Sequence, residues 1–447
     1  MKKAKIYYAR MDEFWRKEEK LDYLEKLQHI GNVEWEDIKP DKNNTWLTEG
    51  LEDDFETFIP LGTKETKSAK GDVSDCLFKI YSRGVATSRD VWAYNFSSEA
   101  LSANILKFIN NYNEQVIKWK HRNDLSVQVD DFVNYDDNKI SWSESLKNNL
   151  KRGITLEYQS QNVRCSLYRP FTSSYLYFDP ALNERRYQFP SIFPTPETEE
   201  ENQVICVSGV GSEKPFTSTI SDKIVNLSFL GGGSAYQCFP FYTYDEDGTN
   251  RKENITDWAL EQFRNQYQYP TITKWDIFYY TYAILHHPDY RERYAANLKR
   301  ELPRIPFAPE FHPFVTAGKR LADIHINYEQ QPEYRLKYLE NKDLPIDWCV
   351  EKMRLSKDKT QLKYNDFLTL TGIPPEVFEY RLGNRSALDW IIDQYQVSID
   401  KRSGITNDPN RLDDEEYIVR LIKKVITVSW ETVKIVKNLP DLGLPND

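Results

Sequence analysis

Long apolar runs are missing from this sequence: nothing approaches the roughly 18 residues that a membrane-spanning helix requires, so no membrane partner is expected. The basic start "MKKAKIYYARMDEFW" lacks the apolar core of a secretory signal, and a cytoplasmic location is the expectation. Cysteine is scarce. Its five copies, Cys76, Cys165, Cys206, Cys238 and Cys349, lie far apart with no CxxC pair, which speaks against a zinc ribbon or a disulfide framework and for reduced thiols. Positive charge is in deficit as well. Lys and Arg total 59 against 69 Asp and Glu, a formal net charge of −10, so a generic basic coat for nucleic acid is excluded while a local basic face is not.

Catalytic motifs are also lacking. The phosphate-loop pattern GxxxxGK[ST] has no match. "GVGSEK" at Gly209–Lys214 has the wrong spacing and reads as a glycine turn between strands. Gly231–Gly233 in "LGGGSAYQ" reads as a bulge or a close backbone approach, and without a following helix it is a weak phosphate cradle. No GxSxG elbow occurs. His286 and His287 are adjacent, so a helix would turn them about 100° apart, and His121, His312 and His325 are isolated; no metal site is expected. The acid pairs Asp130–Asp131 and Asp136–Asp137 sit in polar loop sequence and read as solvated. A metal-dependent nuclease built on Asp130 and Asp136 is the remote enzymatic alternative.

What is present is a globular chain of 447 residues, 40% hydrophobic and 14% aromatic, long enough for two or three domains. "AKIYYARM" predicts a short strand, expected to end a larger sheet. Met11 to Ile30 predicts an amphipathic helix, with Asp12 and Glu13 in its first turn, Phe14, Leu21, Leu24 and Leu27 on its apolar face and Gly31 as its stop. From about Asp72 to Tyr244, short β-branched and aromatic runs alternate with turn clusters, and one helix interrupts them near Leu101–Lys120. Helices return after Ile255: "ITDWALEQFRNQY", one long "KWDIFYYTYAILHHPDYRERYAANLKREL", and one from about Phe314 to Asn327. The tail predicts a hairpin within Val350–Tyr364, a helix "SALDWIIDQYQV" and a final helix from Asp413 to Asn438 striped with Ile418, Leu421, Ile422 and Val425. Trp275, Tyr279, Tyr282 and Trp390 have core-like spacing and are expected to pack rather than stack on bases. The class is α+β. The expected partition is 1–71, a sheet end and connector; 72–250, strand-rich; 251–330, helical; and 331–447, mixed.

The remaining signal is recognition chemistry. Between Lys147 and Pro190, Lys147, Lys151, Arg152, Arg164, Arg169, Arg185 and Arg186 outnumber Glu157, Asp179 and Glu184 in an otherwise acidic chain. "YSRGVATSRDVWAYNF" adds Arg83, Thr87, Ser88, Arg89 and Asn95 in a segment leaving a strand through Gly84. Arginine suits phosphate contact and guanine reading, and asparagine or glutamine suits adenine. The alternative is an ordinary turn in which Arg89 and Asp90 form structural ion pairs, and the residues leave both readings open.

Several blocks resemble the region after the methyltransferase domain of single-chain restriction–modification enzymes of the type ISP group. They are "GVATSRDVWAYNF", "YRPFTSSYLYFD" (Tyr168–Asp179), "FPFYTY" (Phe239–Tyr244), "YAILHHPDYRERYAANLKRELPRIPF" (Tyr282–Phe307) and, most specifically, Tyr364–Asn410. The resemblance implies a module that recognises a double-stranded DNA target for the adenine-N6 methyltransferase and the motor and nuclease domains of the same parent polypeptide. The [DNS]PP[YF] motif of such methyltransferases is absent, the sole "PP" being Pro374–Pro375. S-adenosylmethionine, ATP and Mg2+ are accordingly expected only for the missing domains, with no cofactor and no catalytic residue in this chain. On this reading Lys151, Arg152, Arg185 and Arg186 meet phosphates, and Arg83, Arg89, Asn95 and Gln237 lie nearer base edges, beside Thr87 and Ser88. Arg169 serves the fold as readily as DNA, and Lys214 and Ser234 join from the glycine turns. The rival expectation is an adaptor whose basic residues pair with acids of a neighbouring domain.

Overall fold

The computed structural model describes residues 4–11, 15–40, 44, 46–67 and 75–445. The chain divides into two compact units, Met1–Asp53 and Asp54–Asp447. The boundary expected after residue 71 falls outside the described residues.

In the first unit, strand Ile6–Tyr8 pairs antiparallel with Glu36–Ile38 around helix Lys17–Leu27. The expected helix is shorter than its pattern. Asp12, Glu13 and Phe14 lie outside the described residues, and the helix ends at Gln28, which adopts φ 54°, rather than at Gly31. Gly31 belongs to the 3-10 turn Ile30–Asn32 that follows. Leu21 and Leu24, expected on a buried stripe, are 54% and 52% exposed.

The second unit is organised by a four-stranded antiparallel sheet in the order Ser82–Arg83, Tyr236–Pro240, Val204–Ser208, Ser218–Ser221. Its two longest strands, "VICVS" and "YQCFP", are buried at every position. The reason lies in strand geometry, since successive side chains leave opposite faces. Val204, Cys206, Tyr236 and Cys238 enter one core, while Ile205, Val207 and Phe239 enter the other. A sheet covered on both faces needs continuous apolar runs, which is what these strands supply.

Against the first core lies a second sheet, Ile224–Val225, Val163–Arg169, Thr172–Tyr177, Tyr94–Asn95, in which only the Ile224–Val225 pairing is parallel. A third antiparallel sheet is built from Lys337–Glu340, Leu368–Thr371, Gln361–Lys363 and Arg354–Leu355. Leu362, Leu368 and Leu370 of that sheet share the first core with Ile418, Leu421, Ile422 and Val425 of helix Tyr417–Lys437. Residues 54–447 therefore close on shared cores, although three successive parts were expected.

Helix Ser98–Lys120 is capped by Ser97, whose hydroxyl accepts from Ala100 N at 3.1 Å. Its Leu101, Ile105, Phe108, Tyr112, Val116 and Trp119 form a stripe that seals a third, smaller core with the short helix Glu144–Lys151. The long helix expected from Lys274 is instead three, Lys274–Ile284, Pro288–Arg293 and Ala295–Arg300. Pro288 lacks the N–H that a continuing helix needs and starts a new one, with the His287 ring accepting from Asp289 N as its cap. Helix Lys274–Ile284 crosses Phe311–Ile326 at Gly318, where a Cβ would lie 1.8 Å from Tyr279 O. Trp275 stacks on Phe241 at 3.6 Å, and Tyr282 and Trp390 are buried.

Candidate nucleic-acid interface

The segment Gly84–Asp90 leaves strand Ser82–Arg83 and runs between two other loops. Val85 N donates to Val225 O and Leu227 N to Val85 O, both at 2.8 Å. On the other side Ala86 and Arg185 form an antiparallel bridge. Gly84 is required there, because a Cβ would lie 2.7 Å from the Asn226 carbonyl. The result is a cleft of about 310 Å3 lined by Val85–Asp90 and Asn226–Ser228.

A polar network runs from its lining residues Thr87, Asp90 and Asn226 to Tyr168 and Arg169. The Thr87 hydroxyl donates to Asp90 and accepts from Arg89 N at 3.1 Å, and Asp90 also accepts from the Tyr168 hydroxyl at 3.2 Å. Arg169 donates to Tyr168 O at 2.8 Å and to Asn226 Oδ1 at 3.1 Å, and its guanidinium lies 3.8 Å over the Tyr168 ring. Burial, and then the Asp90 carboxylate, push the Tyr168 hydroxyl well above the usual tyrosine range.

Lys214 approaches from the turn joining Val204–Ser208 to Ser218–Ser221, so "GVGSEK" is an inter-strand turn, with Gly211 at φ +78°. Its ammonium donates to Leu230 O and, at 3.4 Å, to Gly232 O, closing the glycine loop on itself. Burial lowers the Lys214 pKa, and the nearby Arg385 and Arg169 lower it further. Glu213 acts the other way, and the two arginines already face carboxylates, Arg385 at 2.7 Å from Asp393 and Arg169 at 4.0 Å from Asp90.

The sequence-predicted residues separate by exposure. Ser88, at φ 57°, Arg185, Lys151 and Arg152 are exposed. The last two lie at the C-terminal end of helix Glu144–Lys151, whose N-cap Ser143 is the residue that Arg89 of the loop reaches. Arg83, Arg169, Arg186 and Lys214 are half-buried, with Arg186 over the Phe178 ring at 5.1 Å. Five others are inside the protein, contrary to their expected place at base edges or on loop surfaces: Thr87, Arg89, Asn95, Ser234 and Gln237 are each 5% exposed or less.

Each correction has a local cause. Arg89 reaches inward to Leu182 O at 2.8 Å and to the Ser143 hydroxyl, and burial pulls its pKa down to about 10. It supports the fold without the Asp90 ion pair of the alternative reading. Asn95 donates to Thr406 O at 3.1 Å and accepts from Ser97 N at 3.0 Å, ordering the start of the long helix. Ser234 pairs with the Ser212 hydroxyl at 2.9 Å. Gln237 stands in the doubly covered sheet in register with Arg83, and its Oε1 and the Arg83 Nε are both buried without a hydrogen-bond partner among the described residues. Among the basic residues of Lys147–Pro190, Arg164 is ion-paired to Glu199, and Lys147 to Asp130. Asp130 also accepts from the Tyr135 hydroxyl, while Asp136 is held by Asn138 and Lys139. Among the described residues no cluster of three or more His, Cys, Asp or Glu is placed to hold a metal.

Sequence reasoning missed the hairpin Arg381–Leu382/Arg385–Ser386. Its Gly383, at φ +65°, packs on Lys214 and Leu230, and Gly383 N donates to the Thr217 hydroxyl at 2.7 Å. The signal was in "RLGNR", two arginines flanking a Gly-Asn turn, in a tail read as scaffold.

A family model described as the Type ISP C-terminal specificity domain matches residues 76–422. Among solved structures, the chain is similar to a nuclease-deletion mutant of the Type ISP restriction-modification enzyme LlaGI in complex with a DNA substrate mimic. The identity is 33% over 99% of this chain and 40% of that one, with a TM-score of 0.85. A DrdV–DNA complex is 35% identical over 98% of this chain and 44% of that one, TM-score 0.84. The ATP-dependent Type ISP restriction-modification enzyme LlaBIII bound to DNA is 30% identical over 96% and 27%, TM-score 0.82. The chain thus spans less than half the length of each of these three. No curated protein sequence matches it. No described helix is long and apolar enough to cross a membrane.

Proposed function

This chain belongs to the Type ISP C-terminal specificity domain family, and from that premise we propose that it recognises a specific double-stranded DNA sequence for a larger restriction–modification enzyme. The observation that carries the reading is the likeness over nearly the whole chain to enzymes whose structures contain DNA. The local geometry supports it: a rigid, doubly covered sheet holds loops with exposed Ser88 and Arg185 beside the half-buried Arg169 and Lys214.

The proposed division of labour follows exposure. Arg185, with Lys151 and Arg152 at a second point, neutralises phosphates and sets register, while Ser88, Arg83 and the Arg381–Arg385 hairpin lie nearer base edges. Thr87, Arg89, Asn95, Ser234 and Gln237 position the loops from beneath. Chemistry on the DNA belongs, on this proposal, to methyltransferase, motor and nuclease domains of the parent chain, which bring S-adenosylmethionine, ATP and Mg2+. The chain itself selects the target.

The test is selection of bound duplexes from a randomised pool at low salt, followed by binding of the enriched sequence against a scrambled one over a salt series. Enrichment of one asymmetric motif with a salt-dependent affinity is expected. Equal, motif-free loss of every duplex, both alone and with the methyltransferase domain attached, would leave an adaptor as the better account.

A further inference from the structure

A second cavity, of about 690 Å3, lies between the Lys214–Phe216 turn, the helices of residues 288–299 and the end of helix Tyr417–Lys437. Phe216, Pro288, Val433 and Val436 give it apolar walls. Lys214, Arg291, Lys299 and Arg381 line it as cations, opposed by Glu213 and by Glu379, and Glu379 is already paired to Lys437 at 2.6 Å.

Arg291 is the decisive group. Its Nε donates to Leu285 O at 2.6 Å and its Nη2 to the Ser218 hydroxyl at 3.0 Å, yet among the described residues no carboxylate forms an ion pair with it. Burial lowers the Arg291 pKa, with the Tyr380, Tyr282 and Tyr236 hydroxyls acting the other way. Arg291 is half-buried, and a partly desolvated guanidinium without an anionic partner carries a cost that an anion entering the cavity would reduce.

Two further lining groups are incomplete. His286, 3% exposed, has its Nδ1 at 2.8 Å from Tyr282 O, which assigns the ring proton there and leaves Nε2 as an acceptor. Among the described residues His286 Nε2 and the Tyr380 hydroxyl have no hydrogen-bond partner, and both atoms are closed to solvent, so they lie behind the cavity wall. Burial, reinforced by Arg291, keeps the His286 ring neutral. The cavity thus combines a cation that has no carboxylate partner among the described residues with apolar walls.

We propose that this cavity binds a mononucleotide-sized organic anion, with its acid group on Arg291 and its ring along Phe216, Pro288 and Val433. The volume lies within the usual range for small-molecule sites, roughly 300–1,000 Å3. The proposal goes beyond DNA recognition and does not rest on it, although Lys214 and Arg381 border both this cavity and the proposed DNA face.

The test titrates the full chain calorimetrically with AMP, adenosine and inorganic phosphate. Saturable binding of AMP is expected, with adenosine and phosphate each weaker by roughly tenfold or more, since each lacks one half of the contacts. Ala295→Trp, at an exposed lining position, is expected to abolish AMP binding with an unchanged melting temperature. Arg291→Gln is expected to weaken it at least about tenfold, and should that variant misfold, Ala295→Trp alone decides. The proposal is overturned by an absence of saturable AMP binding, by equal binding of adenosine, or by undiminished binding in folded Ala295→Trp. Displacement of AMP by a short duplex would overturn it too, by giving the cavity to the DNA face. A failed duplex selection, by contrast, leaves the AMP result standing.

Discussion

Ala86 and Arg185 exchange two backbone hydrogen bonds, Ala86 N to Arg185 O at 2.9 Å and Arg185 N to Ala86 O at 3.0 Å. This clasp joins two segments remote in sequence and fixes the exposed Arg185 side chain beside the Gly84–Asp90 loop. Its neighbour in that loop, Arg89, points the other way, into the interior.

The two arginines should therefore fail differently when changed to alanine. Arg185→Ala is expected to leave stability within about 0.5 kcal/mol and to lower the salt slope of duplex binding by about one. Arg89→Ala strips Leu182 O of a charged donor and is expected to cost on the order of 3 kcal/mol. Denaturant unfolding beside a binding salt series separates them. An Arg89→Ala protein of full stability with a relaxed base preference would reverse this assignment.

Gly318 is the closest approach between the helices Lys274–Ile284 and Phe311–Ile326. A methyl group there meets the Tyr279 carbonyl, so Gly318→Ala must part the helices. We expect a loss of about 3 kcal/mol or more, read as a fall in the denaturation midpoint. An unchanged midpoint would mean that the crossing is looser than the structure has it.

His325 donates or accepts between the Tyr282 hydroxyl at 2.7 Å and the Thr432 hydroxyl at 2.9 Å, and burial, then Arg291, pull its pKa down to about 3. The unfolded ring titrates near 6.5. Below that pH the unfolded state takes up a proton that the folded ring refuses, so stability rises with pH between about 3 and 6.5. The folded state is favoured above this window and loses ground as the pH falls through it. Replacing His325 by Gln should reduce the slope of stability against pH there by up to about 1.4 kcal/mol per unit, and an unaltered slope would rule the ring out as its source.

Cys206 and Cys238 face each other across paired strands with their sulfurs 3.5 Å apart, too far for a bond. Both are buried, as is Cys76, whereas Cys349 is exposed. Timed labelling with a maleimide at neutral pH should modify Cys349 rapidly and these three only on unfolding. Fast labelling of Cys206 or Cys238 in the native chain would show that the central sheet opens.

The C-terminal helix was legible from its apolar periodicity, and the strands "VICVS" and "YQCFP" from short unbroken runs of strand-forming residues. The expected helix from Lys274 was right in its beginning and wrong in its length, since periodicity outlasted the break that Pro288 imposes. The first unit's helix shows the opposite limit: Leu21 and Leu24 repeat at helical spacing yet remain exposed, because spacing defines a face without supplying a partner for it.

For the candidate site, residue type identified the loops, but burial reassigned their members. Arg89, Asn95 and Gln237 have side chains suited to bases, and folding spent those same donors and acceptors on Leu182, Thr406 and the interior of a doubly covered sheet. Local chemistry determined the α+β class, the glycine turns and the family blocks, since each depends on a few adjacent residues. Only the tertiary structure decided which arginines face solvent, brought the Arg381–Arg385 hairpin to Lys214, and left Arg291 without a carboxylate partner among the described residues. Those outcomes depend on long-range packing, in which one buried contact settles where a polar side chain has to point.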